Sequence, residues 1–324
     1  MQRIITEQIN ELRKLSVVMQ QDLPIFDLEK FESQFKAIVG FLVEKYPNNT
    51  LIAFTIAQIQ KKMGLLCKYK SYGVKACTPL GYAIFLLNPR EGFSFQNHLD
   101  FKTELFYILH VSKGGYVYIS TSEQWNRVFD EQKFKHWFAG GFFAEYDKYK
   151  LKVIPGSVIK IDKTGIVHTA IGCTLEEYAN VSTDMVQRLF DQNKGKQIPK
   201  KFSREFVKKQ IESVVFPVFA NDQSFLKEFG MEIMLNESDE FVAKRVSIYP
   251  SKQQMIKTQG QYISVYVTQG KGNLSILESN GNSINLSKGD PVLLVPNSSW
   301  ILKNTSTLQL QYSMLAIDKN KALK

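Results

Sequence analysis

The chain has 324 residues, 44% of them hydrophobic, so it is too long for one small module and too apolar for a disordered chain. Aromatic residues make up 12%, which favours half-buried sheets over a helical bundle. The net charge of +10 suits an anionic partner. The longest apolar run, Leu80 to Leu87, is too short to span a bilayer, and no apolar leader is evident. We therefore expect a cytoplasmic protein with no membrane partner.

Residues 1–78 are predicted to form a helical segment, because apolar residues recur there at three- and four-residue spacing. Asp27 is placed to cap the second helix and Pro47 to end it, while Asn48 or Asn49 can cap a third. The segment offers no histidine and no cluster of convergent polar side chains. We therefore expect a structural or oligomerising cap, and a homo-oligomer formed through these helices.

After Gly73 the pattern changes from helices to strands. Residues 79–197 are predicted to form a first barrel, which a helical insertion interrupts over residues 121–150. A basic helix and a connector follow over residues 198–235. Residues 236–324 contain short strands separated by glycine turns, which is typical of a jelly roll. The predicted fold class is therefore mainly β, with two tandem jelly-roll barrels after a helical segment.

The basic helix is predicted over residues 198–213. With the residues just before it, it forms a basic cluster of Lys194, Lys196, Lys200, Lys201, Arg204, Lys208 and Lys209. Such a cluster could bind phosphate or nucleic acid, but it lacks the interleaved aromatic residues on which single-strand binders stack bases. We therefore interpret it as a solvated helix face and expect no nucleic-acid partner.

Few residues are candidates for a metal site. The three cysteines, Cys67, Cys77 and Cys173, show no C-x-x-C spacing, so neither a disulfide framework nor a zinc ribbon is indicated. We interpret them as buried thiols. Of the four histidines, His110 and His136 have no carboxylate neighbour at ligand spacing and are interpreted as surface or packing residues.

The other two histidines fit a metal site together with Gln96 and Glu104. On a strand, Gln96 and His98 project to the same face, and Glu104 on the next strand can face them across a hairpin. Beyond Pro155, a strand and a glycine turn lead to His168 on the following strand. Two imidazoles, a carboxylate and an amide oxygen suit Zn²⁺, Fe²⁺ or Mn²⁺ and leave positions open for a substrate. No histidine follows His168, so we expect the last barrel to be metal-free.

The order Q-x-H, then Glu, then G-x-x-H resembles the double motif of the cupin superfamily, with Gln96 in place of the first histidine. With Lys-Thr-Glu around the carboxylate, it is similar to the type I mannose-6-phosphate isomerases. The segment from His168 to Asp191, in which Ser182 and Asp184 precede Arg188, resembles the family's segment with a Ser-Asp pair followed by an arginine. The segment from Lys288 to Pro296 is also like that family's metal-free last domain. The resemblance covers roughly residues 80–320 and implies a bicupin.

The resemblance also implies a function, the metal-dependent interconversion of the aldose and ketose forms of a phosphorylated sugar. The divalent metal expected is Zn²⁺, with Fe²⁺ or Mn²⁺ as alternatives. In that chemistry the metal polarises substrate oxygens, a carboxylate moves a proton and a guanidinium steadies the oxyanion. The resemblance assigns Glu177 as the acid/base, Arg188 as the oxyanion partner and Lys102 as a polar contact beside the metal. The expected partner is an anionic sugar phosphate, which the positive charge of the chain would attract.

Two other functions stay open. His98 and Glu104 are six residues apart, as in ordinary cupins, so the same ligands could hold iron(II) in an oxygenase. A bicupin that binds a sugar or effector without catalysis is the other alternative. Arg188 could also form a supporting ion pair with Asp184 or Asp191.

Overall fold

The computed structural model describes residues 28–63, 74–88, 94–98, 103–161, 166–180, 186–190, 218–219, 224–277 and 281–320, together with residues 7 and 10. The chain divides into two compact units: the site unit, Leu86–Asn221, and the terminal unit, Met1–Phe85 with Asp222–Lys324. The predicted cap Asp27 and the predicted basic helix lie outside the described residues. None of the helices that the structure describes is both long and apolar enough to cross a membrane.

Two helices begin the described part of the terminal unit. Helix α1 (Leu28–Lys45) ends before Pro47, and helix α2 (Thr50–Met63) follows. The side chain of Asn49 accepts a hydrogen bond of 3.1 Å from the backbone N–H of Ile52. This bond satisfies one of the N–H groups that the first helical turn leaves without a partner. The prediction of a cap at this position is confirmed for Asn49.

Asn49→Ala is expected to lower the free energy of unfolding by about 1 kcal/mol, because the cap of α2 loses its acceptor. Asn49→Ser retains an oxygen at this position and should lose only a few tenths of that energy. Urea denaturation of both variants measures the difference. Equal losses in the two variants would contradict a capping role.

The site unit is built around an antiparallel sheet. Strands β1 (Val74–Cys77) and β2 (Tyr82–Leu87) precede it and pair with each other. Its own strands are β3 (Phe95–His98), β4 (Glu104–Thr121), β5 (Lys150–Leu151), β6 (Ser157–Ile161), β7 (Ile166–Asn180), β8 (Val186–Phe190) and β9 (Val218–Phe219). Strands β4 and β7 pair along their length, β6 flanks β4, and β3 pairs with both β7 and β8.

The helical insertion predicted over residues 121–150 is confirmed. It contains α3 (Ser122–Val128), α4 (Glu131–Phe138) and α5 (Ala144–Asp147). Thr121 caps α3 in a reciprocal capping box with Gln124.

Two apolar cores lie on opposite faces of the site-unit sheet, as the alternation of strand side chains requires. The inner core comprises Phe106, Ile108, Val117, Val153, Ile159, Ile161, Ile166, Ala170, Cys173 and Leu175. The aromatic core, which the insertion helices cover, comprises Phe95, Tyr118, Trp125, Phe134, Trp137, Tyr146, Val167 and Leu189, with Phe138 and Phe190 packed against them.

Cys173 lies in the inner core, where burial raises the pKa of its thiol to about 11. At pH 8 roughly a thousandth of this thiol would be thiolate, which is the reactive form. We therefore expect Cys173 to resist a thiol reagent in the folded protein and to react after unfolding, whereas the half-buried Cys77 reacts earlier. Peptide mapping after timed labelling checks this order. Labelling of Cys173 as fast as Cys77 in the native protein would contradict it.

The terminal unit contains two antiparallel sheets, in the orders β10-β11-β12-β19-β14-β17 and β13-β18-β15-β16. Their strands are β10 (Ser224–Lys227), β11 (Gly230–Glu237), β12 (Val242–Ile248), β13 (Gln253–Lys257), β14 (Gln261–Gln269), β15 (Lys271–Ile276), β16 (Ser283–Ser287), β17 (Pro291–Leu294), β18 (Ser299–Asn304) and β19 (Leu310–Asp318). Helix α2 packs against β17, and Lys61 forms a 3.5 Å ion pair with Asp290. The helices therefore pack within the terminal unit.

The hairpin β10–β11 differs from the sequence expectation of a connector up to residue 235. Strand β10 lies at the sheet edge and β11 lies next to it, and both are partly exposed, so their residues show little of the alternation that predicts strands. Gly230 turns the chain at φ +152°, where an added Cβ would lie 1.9 Å from the carbonyl oxygen of Ser247. Only glycine fits this approach.

Candidate metal centre

Strands β3 and β4 bring the first three predicted ligands together. Gln96 and His98 are two residues apart on β3 and therefore share a face. Gln96 is half-buried, whereas His98 is only 4% exposed. Glu104, the first residue of β4, is fully buried.

His168 comes from β7, where it lies directly opposite Gln96 and therefore on the same face. It is fully buried. Its Nδ1 is 3.0 Å from the backbone oxygen of Ile166. A carbonyl oxygen only accepts, so Nδ1 carries the proton of the ring and donates it there. In the neutral ring this leaves Nε2 as the atom with a lone pair, an arrangement typical of metal-binding histidines.

The two oxygens of Glu104 lie between the imidazoles. Oε1 is 2.9 Å from Nε2 of His98, and Oε2 is 3.0 Å from Nε2 of His168. One ligand atom from each of the three side chains lies within 4.8 Å of the others. Ligands about 2.1 Å from a metal ion and at right angles to each other are about 3 Å apart. The two distances from Glu104 to the imidazole nitrogens therefore match those between neighbouring metal ligands.

The position of the proton on the His168 ring gives a second argument for a metal site. A lone pair on its Nε2 and a carboxylate oxygen are both acceptors, and at 3.0 Å they require a positive charge between them, either a proton or a metal ion. Gln96 Nε2 lies 3.4 Å from the same nitrogen. Because the oxygen and nitrogen of an amide can exchange positions by rotation, Gln96 can present its oxygen instead. The donor set fits Zn²⁺, Fe²⁺ or Mn²⁺.

Phe106 and the carbonyl group of Ile166 support this group and were not singled out from the sequence. The ring of Phe106 lies 5.9 Å from that of His168, between their centroids. Phe106 follows Glu104 by two residues on β4 and so shares its face. That alternation is a sequence signal from which Phe106 could have been found. The backbone bond of Ile166 leaves no such signal.

Three residues, Glu177, Arg188 and Lys102, were assigned through the family resemblance, and the structure describes the first two. Glu177 lies opposite Phe106 in the β4–β7 pair and is 7% exposed, so it shares the ligand face. The neighbouring Glu176 lies on the other face, where it accepts a 2.8 Å hydrogen bond from the hydroxyl of Tyr178. Arg188 is exposed and lies directly opposite Gln96. Lys102 lies outside the described residues.

The other histidines take no part in this cluster. His110 and His136 are exposed, as predicted, and the ring of His136 packs against Phe143. Within the described part of the chain, His98, Glu104 and His168 form the one group of three or more histidine, cysteine, aspartate or glutamate side chains that could hold a metal ion.

Comparisons with known proteins were made by sequence and by structure. No protein-family model and no curated protein matches the sequence. The mannose 6-phosphate isomerase of Bacillus subtilis is similar in structure, with a TM-score of 0.53 and 14% identity, over 72% of this chain and 74% of that one. Oxalate decarboxylase from Bacillus subtilis has a TM-score of 0.48 and 13% identity, over 76% of this chain and 69% of that one.

An Archaeoglobus fulgidus protein assigned as a mannosephosphate isomerase has a TM-score of 0.47 and 15% identity, over 80% of this chain and 78% of that one. At such identities the likeness concerns the fold. Together with the strand order, the match to the Bacillus subtilis isomerase confirms the predicted fold class: the chain is mainly β, with two tandem cupin barrels and an N-terminal helical segment.

Proposed function

We propose that this protein is a metal-dependent isomerase that interconverts the aldose and ketose forms of a phosphorylated sugar. The observation that carries the proposal is the convergence of His98, Glu104 and His168 on a sheet face that also bears Glu177 and Arg188. This face combines metal-ligand chemistry with a buried carboxylate and a guanidinium, which the reaction requires.

The ligands in this proposal are Gln96, His98, Glu104 and His168. A divalent ion held by them, with Zn²⁺ as the first expectation, would supply Lewis-acid polarisation of the carbonyl and hydroxyl oxygens of the substrate. The carbonyl of Ile166 holds His168 in the tautomer that presents Nε2.

We assign the proton transfer between the two substrate carbons to Glu177. Its carboxylate removes a proton from the carbon beside the carbonyl group and returns it to the neighbouring carbon, through an enediol. Glu177 is supported in this role by its burial and by its position opposite Phe106, the residue whose ring lies against His168.

We assign the two basic residues, Arg188 and Lys102, to substrate binding. Arg188 is exposed opposite Gln96, and its guanidinium is a permanently charged planar donor for the developing oxyanion. Lys102 is assigned as a polar contact beside the ligands. The net charge of +10 favours encounter with an anionic sugar phosphate.

For the test, the protein is stripped of metal and reconstituted with Zn²⁺. It is then incubated with hexose and pentose phosphates in D₂O, and deuterium incorporation and isomerisation are followed by NMR. We expect equal turnover in air and under argon. Glu177→Gln should abolish it, whereas the matched control Glu176→Gln, on the other face, should retain it. Turnover that requires iron and oxygen would contradict the proposal in favour of an oxygenase. Binding with no turnover in any of these proteins would favour a non-catalytic binding protein.

A further inference from the structure

Strand β8 does not run regularly along β3. Phe190 lies opposite Phe95 and Arg188 lies opposite Gln96, so β8 advances two residues while β3 advances one. Leu189 is the extra residue of this β-bulge. In a regular strand Arg188 and Phe190 would project to the same face. The bulge separates them, placing Phe190 on the face of Phe95 and Arg188 on that of Gln96.

The aromatic core holds the residues that follow Arg188. The ring centroid of Phe190 lies 5.2 Å from that of Phe134 and 5.0 Å from that of Phe138, both on α4 and both steeply inclined to it. Leu189 is 1% exposed in the same core. Edge-to-face packing of this kind restricts the orientation of the rings. The helical insertion thus contacts β8 two residues away from Arg188.

We propose that the aromatic side chains of α4 position Arg188 by fixing the bulge of β8 through Phe190. This inference rests on the proposed function, since it gives the insertion a part in placing the guanidinium on the substrate. Arg188 is exposed, and its position on β8, opposite Gln96, sets which part of the ligand face its guanidinium can reach. A displacement of about 1 Å in a group that contacts the substrate can cost 100-fold in rate. Phe134, Phe138 and Phe190 are positioning residues in this account.

The experiment uses the full chain loaded with metal. Phe190→Ala removes the anchored ring, and Phe138→Ala removes its partner on α4 without changing β8. Phe129→Ala is the matched control, because Phe129 belongs to the same aromatic region but its ring contacts are with Trp125 and Phe134. Two readouts are needed: hydrogen exchange of the peptide that contains residues 186–190, and kcat with KM, alone and combined with Arg188→Lys.

Phe190→Ala and Phe138→Ala should each accelerate hydrogen exchange in residues 186–190 by about tenfold. Each should also lower kcat by about tenfold and leave KM within about twofold of the wild-type value. Phe129→Ala should change neither beyond about twofold. Adding Arg188→Lys to Phe190→Ala should cost no more than Arg188→Lys alone, because both changes remove the same contact. Unchanged exchange, or losses that multiply in the double variant, would overturn the inference.

If the wild-type chain shows no isomerase turnover, the proposed function is wrong. The packing of Phe190 against α4 then has no role in catalysis of this reaction. The exchange measurement is independent of turnover. Accelerated exchange in Phe190→Ala would then still support anchoring of β8 by α4, and unchanged exchange would overturn it.

Discussion

Replacing His168 with alanine is expected to strip the metal ion from the protein while leaving the barrel folded. In the proposed site His168 would supply its Nε2 as a ligand, close to Glu104 and Gln96, and its loss would remove one of the two imidazoles. Substitution of supporting groups around metal ligands costs about 10- to 100-fold in metal affinity, so loss of a ligand should cost at least about 100-fold. Elemental analysis after gel filtration measures the bound metal, and circular dichroism follows the fold.

His98→Ala should behave in the same way, whereas His136→Ala is the matched control, since His136 is exposed on α4. The inner core around the site is apolar and is expected to keep the fold in both ligand variants. Retention of stoichiometric metal in either ligand variant would contradict the site. Loss of metal in His136→Ala would show that the effect is not specific.

Arg188→Lys is expected to reduce turnover by about 100-fold or more, with little change in melting temperature or metal content. Lysine keeps the charge but lacks the planar donor geometry of the guanidinium. Removal of one preorganised donor to an oxyanion typically costs 100- to 1,000-fold in kcat. Steady-state kinetics, a thermal melt and elemental analysis of the same preparation separate the three effects.

The opposite pattern would identify a structural role. If Arg188→Lys lowers the melting temperature by several degrees and spares turnover, Arg188 is a supporting ion-pair residue for Asp184 or Asp191, both of which lie outside the described residues. The isomerase proposal would then lose its main support apart from the metal ligands.

Part of the metal-ligand cluster could be predicted from the sequence because it depends on short-range regularities. The approach of His168 to Gln96, 72 residues earlier, is a long-range contact that was predicted from the later strand, glycine turn and histidine. Gln96 and His98 share a face by strand alternation, and the sequence predicts a glycine turn before His168 that would return the chain to the same sheet. The chemistry of the side chains then restricts what such a face can bind. Those two kinds of information need no knowledge of distant contacts.

Other features depend on contacts between residues far apart in the chain. The bulge at Leu189 adjoins Phe190, which packs against α4 some fifty residues earlier in the chain, and no local sequence pattern reveals it. Helix α2 packs against β17, so its place in the terminal unit follows from tertiary packing. The β10–β11 hairpin was missed because its partly exposed strands lack a clear hydrophobic period.

The most direct test of the central claim is the metal content of the wild-type chain purified without chelators. We expect about one divalent ion per chain, with zinc predominant, bound by the His98, Glu104 and His168 group. Absence of a transition metal, together with failure of the metal-free protein to bind added Zn²⁺, would contradict the metal site and the isomerase function built on it.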